Sequence, residues 1–190
     1  YSFRAESYIE LKKYNEAIED IIKALEIDYD NKAFHLLQSV ADSAFNELET
    51  RMKIQCNKRG NDGFWPYCLG IIYERTKHYK AAIEQYKNSF DKDKSPVTTY
   101  RMSCCYEELG DYESALSNID ISIGIDSIDS DYMLERADLL YELGKTKEAI
   151  SQLDKCIEVN PEFFGGYYRR GFYKNNTSDY DGAINDYSMS

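Results

Sequence analysis

The stretch Leu109-Gly110-Asp111-Tyr112-Glu113-Ser114-Ala115-Leu116 joins a glycine turn to the start of an amphipathic segment. Its second half recurs four more times, with Tyr or Thr three residues before an alanine and Ile or Leu directly after it. The five alanines are Ala17, Ala82, Ala115, Ala149 and Ala183, and the last four follow one another at 33, 34 and 34 residues. A fixed period in this range indicates stacked units, because one such unit cannot bury its apolar face alone.

The unit around Gly144 indicates what one period contains. Apolar residues between Met133 and Tyr141 fall at helical spacing, and Gly144 then suits the left-handed conformation that follows a helix end. A second amphipathic segment runs from Ala149 to Val159. It ends at Asn160-Pro161, since the residue before proline is pushed out of the helical region. Each unit is therefore predicted to be two antiparallel helices joined by a tight turn.

These motifs resemble the tetratricopeptide repeat. Leu69-Gly70-Ile71-Ile72-Tyr73 is similar to the first-helix part of the family pattern W-x2-L-G-x2-Y, with Trp65 one place early and Pro66 in the usual aromatic position. Pro161 matches the closing proline of the pattern, and the other units have Tyr29, Lys94 and Ser127 there. The resemblance implies an all-α fold, a right-handed α-solenoid of antiparallel helix pairs.

Five units are predicted at 1–31, 63–95, 96–129, 130–163 and 164–190, with the first and the last cut by the ends of the sequence. The stretch 32–62 departs from the pattern, because apolar residues continue from Ala33 to Met52 without a turn signal and Arg51 stands at the expected alanine position. We predict either one long helix over 33–56 or a degenerate repeat with its two helices fused. A flexible connection at 57–63 would follow.

The family resemblance also implies a binding groove lined by the first helices of successive repeats. Its predicted residues are Phe64, Tyr67, Ile71, Arg75, Tyr100, Arg101, Leu134, Glu135, Asp138, Tyr141, Tyr168, Arg169 and Phe172, and nearby positions include Glu107 and Glu142. Aromatic anchors beside mixed charges suit an extended peptide or a helix. The alternative is that some of these tyrosines only pack between repeats.

Some members of the family hold the C-terminal carboxylate of chaperones in a clamp of Lys, Asn and Arg. At those positions this sequence has Tyr67, Ile71, Arg101, Asp131 and Glu135. Acidic groups there would repel a carboxylate. A chaperone-tail adaptor is therefore not expected from these repeats.

The net charge of the chain indicates which classes of partner it could bind. The chain has 34 acidic and 23 basic residues, a net charge of -11, and an acidic surface disfavours nucleic acid and anionic membranes. It favours a ligand that carries Lys or Arg beside an apolar anchor, although plain solubility would also explain the charge. No apolar run approaches the ~20 residues of a membrane span. Five cysteines, two of them adjacent, make a poor disulfide framework and favour a reducing, cytoplasmic compartment.

Motifs for chemistry are missing from the sequence. His35 and His78 are the only histidines, and neither belongs to a cluster with metal-ligand spacing. Asp91-Lys92-Asp93-Lys94-Ser95 resembles the start of a calcium loop, but Pro96 replaces its glycine. We therefore predict a non-catalytic protein-interaction scaffold that uses no cofactor or metal. Two alternatives stay open: self-assembly through exposed repeat ends, and a docking region of a larger multidomain protein.

Overall fold

The computed structural model describes residues 1–27 and 31–190; Tyr29 lies outside the described residues. These residues form twelve helices and no strand, so the all-α prediction is confirmed. The chain divides into two compact units, which we call unit 1 (Tyr1–Lys94) and unit 2 (Ser95–Ser190). Within the same described ranges, no helix combines the length and the apolar character needed to cross a membrane.

Each unit contains three consecutive helix pairs. The helices of unit 1 are α1 (Ser2–Glu10), α2 (Tyr14–Ile27), α3 (Asn31–Ala41), α4 (Phe45–Lys58), α5 (Phe64–Arg75) and α6 (Tyr79–Lys92). Those of unit 2 are α7 (Pro96–Glu108), α8 (Tyr112–Ile125), α9 (Ser130–Glu142), α10 (Thr146–Val159), α11 (Phe164–Asn176) and α12 (Tyr180–Tyr187). The two helices of a pair contact each other, and three residues connect them in every case.

Small residues lie where the helices of a pair approach most closely. The five periodic alanines are 0–2% exposed. On the facing helices, a Cβ added to Gly70 would come within 2.5 Å of the ring of Tyr86, and one added to Gly171 within 3.0 Å of the ring of Tyr187. The repeating small residues of the sequence thus leave room for a large ring from the partner helix.

Most of the turns within pairs have a residue with positive φ, and in only some of them is that residue glycine. The middle residue of five of the six turns has a positive φ, and in two of these turns it is glycine, Gly110 and Gly144, each with φ of 73°. Lys12, Lys77 and Ser178 adopt the same conformation at 56°, 61° and 66°. Since left-handed backbone costs a residue with a Cβ roughly 1–2 kcal/mol, these three turns are held by the packing of the helices around them.

The prediction of one long helix over 33–56 is wrong. Helix α3 ends at Ala41 and α4 begins at Phe45, and α4 continues to Lys58, so the connection to α5 covers only 59–63. The break needs neither glycine nor a positive φ, because the amides of Ser43 and Ala44 both donate to the carbonyl of Val40, at 3.0 and 2.9 Å.

The apolar residues of this stretch explain why the chain turns. Leu37 and Val40 of α3 and Leu48 and Met52 of α4 are all 0% exposed. A straight helix presents one apolar stripe, whereas two packed helices bury both sets. The prediction that Arg51 stands at the alanine position is wrong: Leu48, three residues after the start of α4, lies where the other second helices have alanine. Arg51 is half-buried and donates to Glu47 at 2.6 Å.

Arginines form a second periodic contact, which the sequence analysis did not predict. The guanidinium of Arg170 in α11 donates to Asp186 of its own pair at 2.6 and 2.9 Å and to Asp154 of the preceding pair at 2.7 Å. Arg136 in α9 likewise donates to Asp120 of the preceding pair at 2.7 Å. Such side chains join successive helix pairs within unit 2.

Candidate functional site

The first helices of unit 2 present equivalent positions at one repeat spacing. Arg101, Glu135 and Arg169 each lie two residues before the small residue of their helix, in α7, α9 and α11. The residue before each of these is Tyr100, Leu134 or Tyr168. All of these side chains are half-buried except Tyr168, which is 55% exposed. Nine of the predicted groove residues therefore belong to this unit.

Three carboxyl groups of this unit interact, and we call Glu107, Glu135 and Asp138 the acidic face. Burial and the nearby charges of Glu107 and Asp138 together raise the pKa of Glu135 to about 7, against the opposing effect of Arg169. The Oε1 atom of Glu135 is buried and has no hydrogen-bond partner.

The other two carboxyls are also held away from water. Burial raises the pKa of Glu107, and Asp138 and Glu108 add repulsion. Burial likewise raises the pKa of Asp138, although the hydroxyl of Tyr173 donates to its Oδ1 and Nη2 of Arg169 lies 2.9 Å from its Oδ2. Arg169 supplies an opposite charge and Tyr173 a hydrogen bond, and both lower the pKa of Asp138, but its burial raises that pKa by more.

Aromatic rings adjoin these carboxyls. Tyr141 stacks on Tyr173 with ring centres 4.2 Å apart, and Phe172 lies 6.0 Å from Tyr141. Phe172 is 37% exposed, so its ring offers apolar surface on the same helix as Arg169. The ring centres of Tyr100 and Tyr132 are 5.3 Å apart, and burial raises the pKa of the Tyr100 hydroxyl. The acidic face therefore adjoins apolar surface on α11.

Some predicted groove residues also have a packing role. Leu134 packs against the core cluster that contains Ala137 and Tyr173. In unit 1, Tyr67 stacks on Phe34 with ring centres 6.3 Å apart, and Phe64 meets Trp65 edge to face at 5.4 Å.

The prediction that Ile71 lines a groove is wrong. Its side chain is 3% exposed, because α5 buries nearly its whole length and Ile71 belongs to that core. Arg75 is exposed but donates to both carboxylate oxygens of Asp42, at 2.6 to 3.2 Å. We therefore define the candidate site by residues of unit 2 alone.

Tyr173 is the residue of this site that the sequence analysis missed. It lies two residues after the small residue of α11, and the same position in other first helices holds Ile72, Cys105 and Leu139, all 0% exposed. Pattern alone therefore assigns Tyr173 to the core, where its ring does lie. Only its hydroxyl, which reaches Asp138 of the preceding pair, belongs to the site.

In the part of the chain that the structure describes, no group of three or more His, Cys, Asp or Glu side chains has an arrangement that could hold a metal ion. None of the five cysteines forms a disulfide; Cys68, Cys105 and Cys156 are buried, and Cys56 and Cys104 are half-buried.

The sequence is similar to a known repeat family. Residues 1–31 and 130–163 match the family model described as tetratricopeptide repeat. The Hsp70-Hsp90 organizing protein of Triticum aestivum is 24% identical over 211 aligned residues, which include 97% of this chain and 33% of that protein. The chain thus spans about a third of the length of this relative.

Solved structures of the same fold agree with this match. A crystal structure of MamA superimposes with a TM-score of 0.70 at 18% identity, covering 78% of this chain and 87% of MamA. The first repeat domain of Spaghetti (RPAP3), solved with the HSP90 peptide SRMEEVD, has a TM-score of 0.57 at 19% identity, covering 62% of this chain and 94% of that domain. At these identities the likeness extends to the fold alone.

Proposed function

We propose that this chain, which belongs to the tetratricopeptide repeat family, is a non-catalytic protein-interaction scaffold that binds a basic peptide or helix on unit 2. The observation that carries the proposal is the acidic face, where Glu107, Glu135 and Asp138 repel one another and Glu135 has a buried oxygen without a partner. A cationic side chain of a ligand would supply both the charge and the donor that this group lacks.

The electrostatic gain from such a ligand is substantial. Opposite unit charges 4 Å apart attract by about 4 kcal/mol at the effective dielectric constant of a protein surface, before the cost of desolvation. Because the carboxyls are already partly desolvated in the free protein, that cost falls mainly on the ligand. The binding of a lysine or arginine next to Glu135 would also favour its ionised form, so binding releases a proton and the affinity rises from pH 6 to pH 8.

The apolar part of the ligand has a defined place in this proposal. Phe172 and Tyr168 lie on α11 together with Arg169 and are 37% and 55% exposed. Aromatic side chains of this kind are frequent anchors in interfaces, because they bury a large area with few rotatable bonds. A peptide with an apolar residue close to its basic residues would therefore bind better than one with basic residues alone.

The relatives support the class of function and leave the ligand open. One related protein is named for organising Hsp70 and Hsp90, and one structural neighbour holds the HSP90 peptide SRMEEVD, which ends in Glu-Glu-Val-Asp. A peptide with that ending carries several negative charges, which the acidic face of this chain would repel. We therefore infer a ligand of opposite charge.

Fluorescence anisotropy with a short labelled peptide that contains several lysines and one phenylalanine tests the proposal. The counterpart with glutamate for each lysine serves as the charge-reversed probe. We expect the basic peptide to bind, more weakly as salt increases, and the acidic one not to bind. In Glu135→Gln the affinity should fall about tenfold and lose its rise between pH 6 and pH 8.

Glu148→Gln is the matched control, because Glu148 is an exposed glutamate on α10 of the same unit. This variant should bind like the parent. Equal binding of the acidic and basic peptides, or equal loss of affinity in the two variants, would contradict the proposal.

Self-association is a second candidate function, favoured by one observation. Helix α12 presents Tyr180, Ile184 and Tyr187 at helical spacing, and they are 60%, 64% and 39% exposed. A mass that rises with protein concentration in sedimentation equilibrium, and that Ile184→Lys abolishes, would support this candidate. A constant monomer mass would exclude it.

A further inference from the structure

A cleft opens in unit 1, between the second helices of the first two pairs. Its walls are one face of α2, at positions 19 to 26, and one face of α4, at positions 51 to 58, and its volume is about 210 Å³. Pockets for drug-sized ligands usually enclose roughly 300–1,000 Å³, so this cleft suits a single side chain. We call it the outer cleft.

Gln55 gives the outer cleft an unsatisfied acceptor. The residue is 8% exposed, it lines the cleft, and its Oε1 has no hydrogen-bond partner. Gln152, buried to the same extent in unit 2, accepts a hydrogen bond from Arg136 at 3.2 Å. Because a buried acceptor without a donor costs free energy, Gln55 favours a ligand that brings an N–H or O–H group.

The charges around the outer cleft favour an acidic ligand. Three cationic residues line it, Lys23, Arg51 and Lys58, against the two carboxylates Glu19 and Glu26. Lys23 pairs with Glu19 and Arg51 with Glu47, each at 2.6 Å, and Arg59 lies 3.5 Å from Glu26. Lys58, by contrast, is exposed, and no carboxylate of the described residues lies within ion-pair distance of it. The cleft is thus locally positive on a chain whose net charge is -11.

Isoleucines complete the walls of the outer cleft. Ile22 is 6% exposed on α2, and Ile54 is 54% exposed on α4. A phenol ring fits between such side chains, since tyrosine combines an apolar body with a hydroxyl at its tip that donates a hydrogen bond. We propose that the outer cleft binds the tyrosine side chain of an acidic segment of a partner protein, with the hydroxyl donating to Gln55 and a neighbouring carboxylate pairing with Lys58.

Two short peptides test the proposal, one with a single tyrosine among aspartates and glutamates and one with phenylalanine in its place. We would titrate each into ¹⁵N-labelled protein and follow the side-chain amide of Gln55 by NMR. One neutral hydrogen bond contributes about 0.5–1.5 kcal/mol, so the tyrosine peptide should bind about fivefold more tightly. The Gln55 amide signal should shift with the tyrosine peptide.

Variants of residues in the outer cleft test whether the preference for the tyrosine peptide arises there. Gln55→Met keeps the length and removes the acceptor, so the two peptides should bind it equally, and circular dichroism should find its melting temperature unchanged or raised. Lys58→Glu should weaken both peptides, and Lys80→Glu, an exposed lysine on α6, should weaken neither.

Three outcomes would overturn the inference. The first is equal binding of the two peptides to the parent protein, and the second is a tyrosine preference that survives in Gln55→Met. In the third, neither peptide moves the Gln55 signal, the mass of the parent protein rises with its concentration, and Gln55→Met abolishes that rise. A second copy of this chain would then be the occupant of the cleft. Because the test concerns unit 1 and an acidic probe, its result is independent of the binding proposed for unit 2.

Discussion

Glu135→Gln should stabilise the protein by an amount that grows with pH. In the parent, burial and the charges of Glu107 and Asp138 raise the pKa of this carboxyl from 4.5 to about 7. Glutamine has nearly the same shape and no charge to bury, so it removes the cost of ionisation and leaves the packing of α9 in place. The variant therefore isolates the electrostatic cost of the acidic face.

The sign follows from the protons bound in each state. Below pH 4.5 the carboxyl is protonated in both the folded and the unfolded chain, and the two proteins should differ little. Between pH 4.5 and 7 the folded parent keeps a proton that the unfolded chain has lost, so its free energy of unfolding falls as pH rises. A pKa moved from 4.5 to about 7 corresponds to a loss of about 3 kcal/mol at pH 8, which glutamine avoids.

Urea denaturation followed by circular dichroism at pH 5, 6, 7 and 8 measures this difference. We expect the variant to gain less than about 1 kcal/mol at pH 5 and about 2–3 kcal/mol at pH 8. Glu148→Gln, on the exposed surface of α10, should track the parent at every pH. The reasoning would be refuted if Glu135→Gln were stabilised equally at pH 5 and pH 8, or if it were not stabilised at pH 8.

Two further predictions, one on helix packing and one on a buried ion pair, are measured by the same urea denaturation at pH 7. Gly70→Ala places a Cβ 2.5 Å from the buried ring of Tyr86 and should cost about 1–3 kcal/mol, whereas Gly124→Ala, with nothing within 4 Å, should stabilise α8 by about 0.5–1 kcal/mol. The same sign for both would contradict this account. Arg170→Met removes two hydrogen bonds from Asp186, which is 0% exposed, and should cost about 3–5 kcal/mol; a loss below about 1 kcal/mol would mean that Lys174 suffices.

The pattern of small residues was sufficient to predict the helix pairs. Ala115 and its equivalents recur because two helices can approach closely only where one side chain is small, and each such contact lies within one repeat. Gly110 and Gly144 mark turns for a similarly local reason, since glycine adopts positive φ at little cost. These constraints act between neighbours in the chain, so they are visible in the sequence.

Predictions from the repeat pattern were wrong for the stretch 33–56 and for Ile71, where packing between helices decides the structure. Leu48 fills the position of the periodic alanine, and a turn without glycine separates α3 from α4, so neither local signal of a helix pair was present. Only the buried apolar residues of both helices required the chain to turn there. Ile71 was assigned to a groove from its position in the repeat, and only the packing around α5 places it in the core.

The sequence by itself determined the all-α fold, the approximate repeat length and the candidate carboxylates Glu135 and Asp138. Only the tertiary structure decided that Glu135 is buried beside the charges of Glu107 and Asp138, that the hydroxyl of Tyr173 reaches Asp138, and that Gln55 faces a cleft without a donor. Helix formation and pair packing depend on residues close together in the chain. Burial and the distance between charges depend instead on how helices of different repeats are placed, and no residue pattern contains that information.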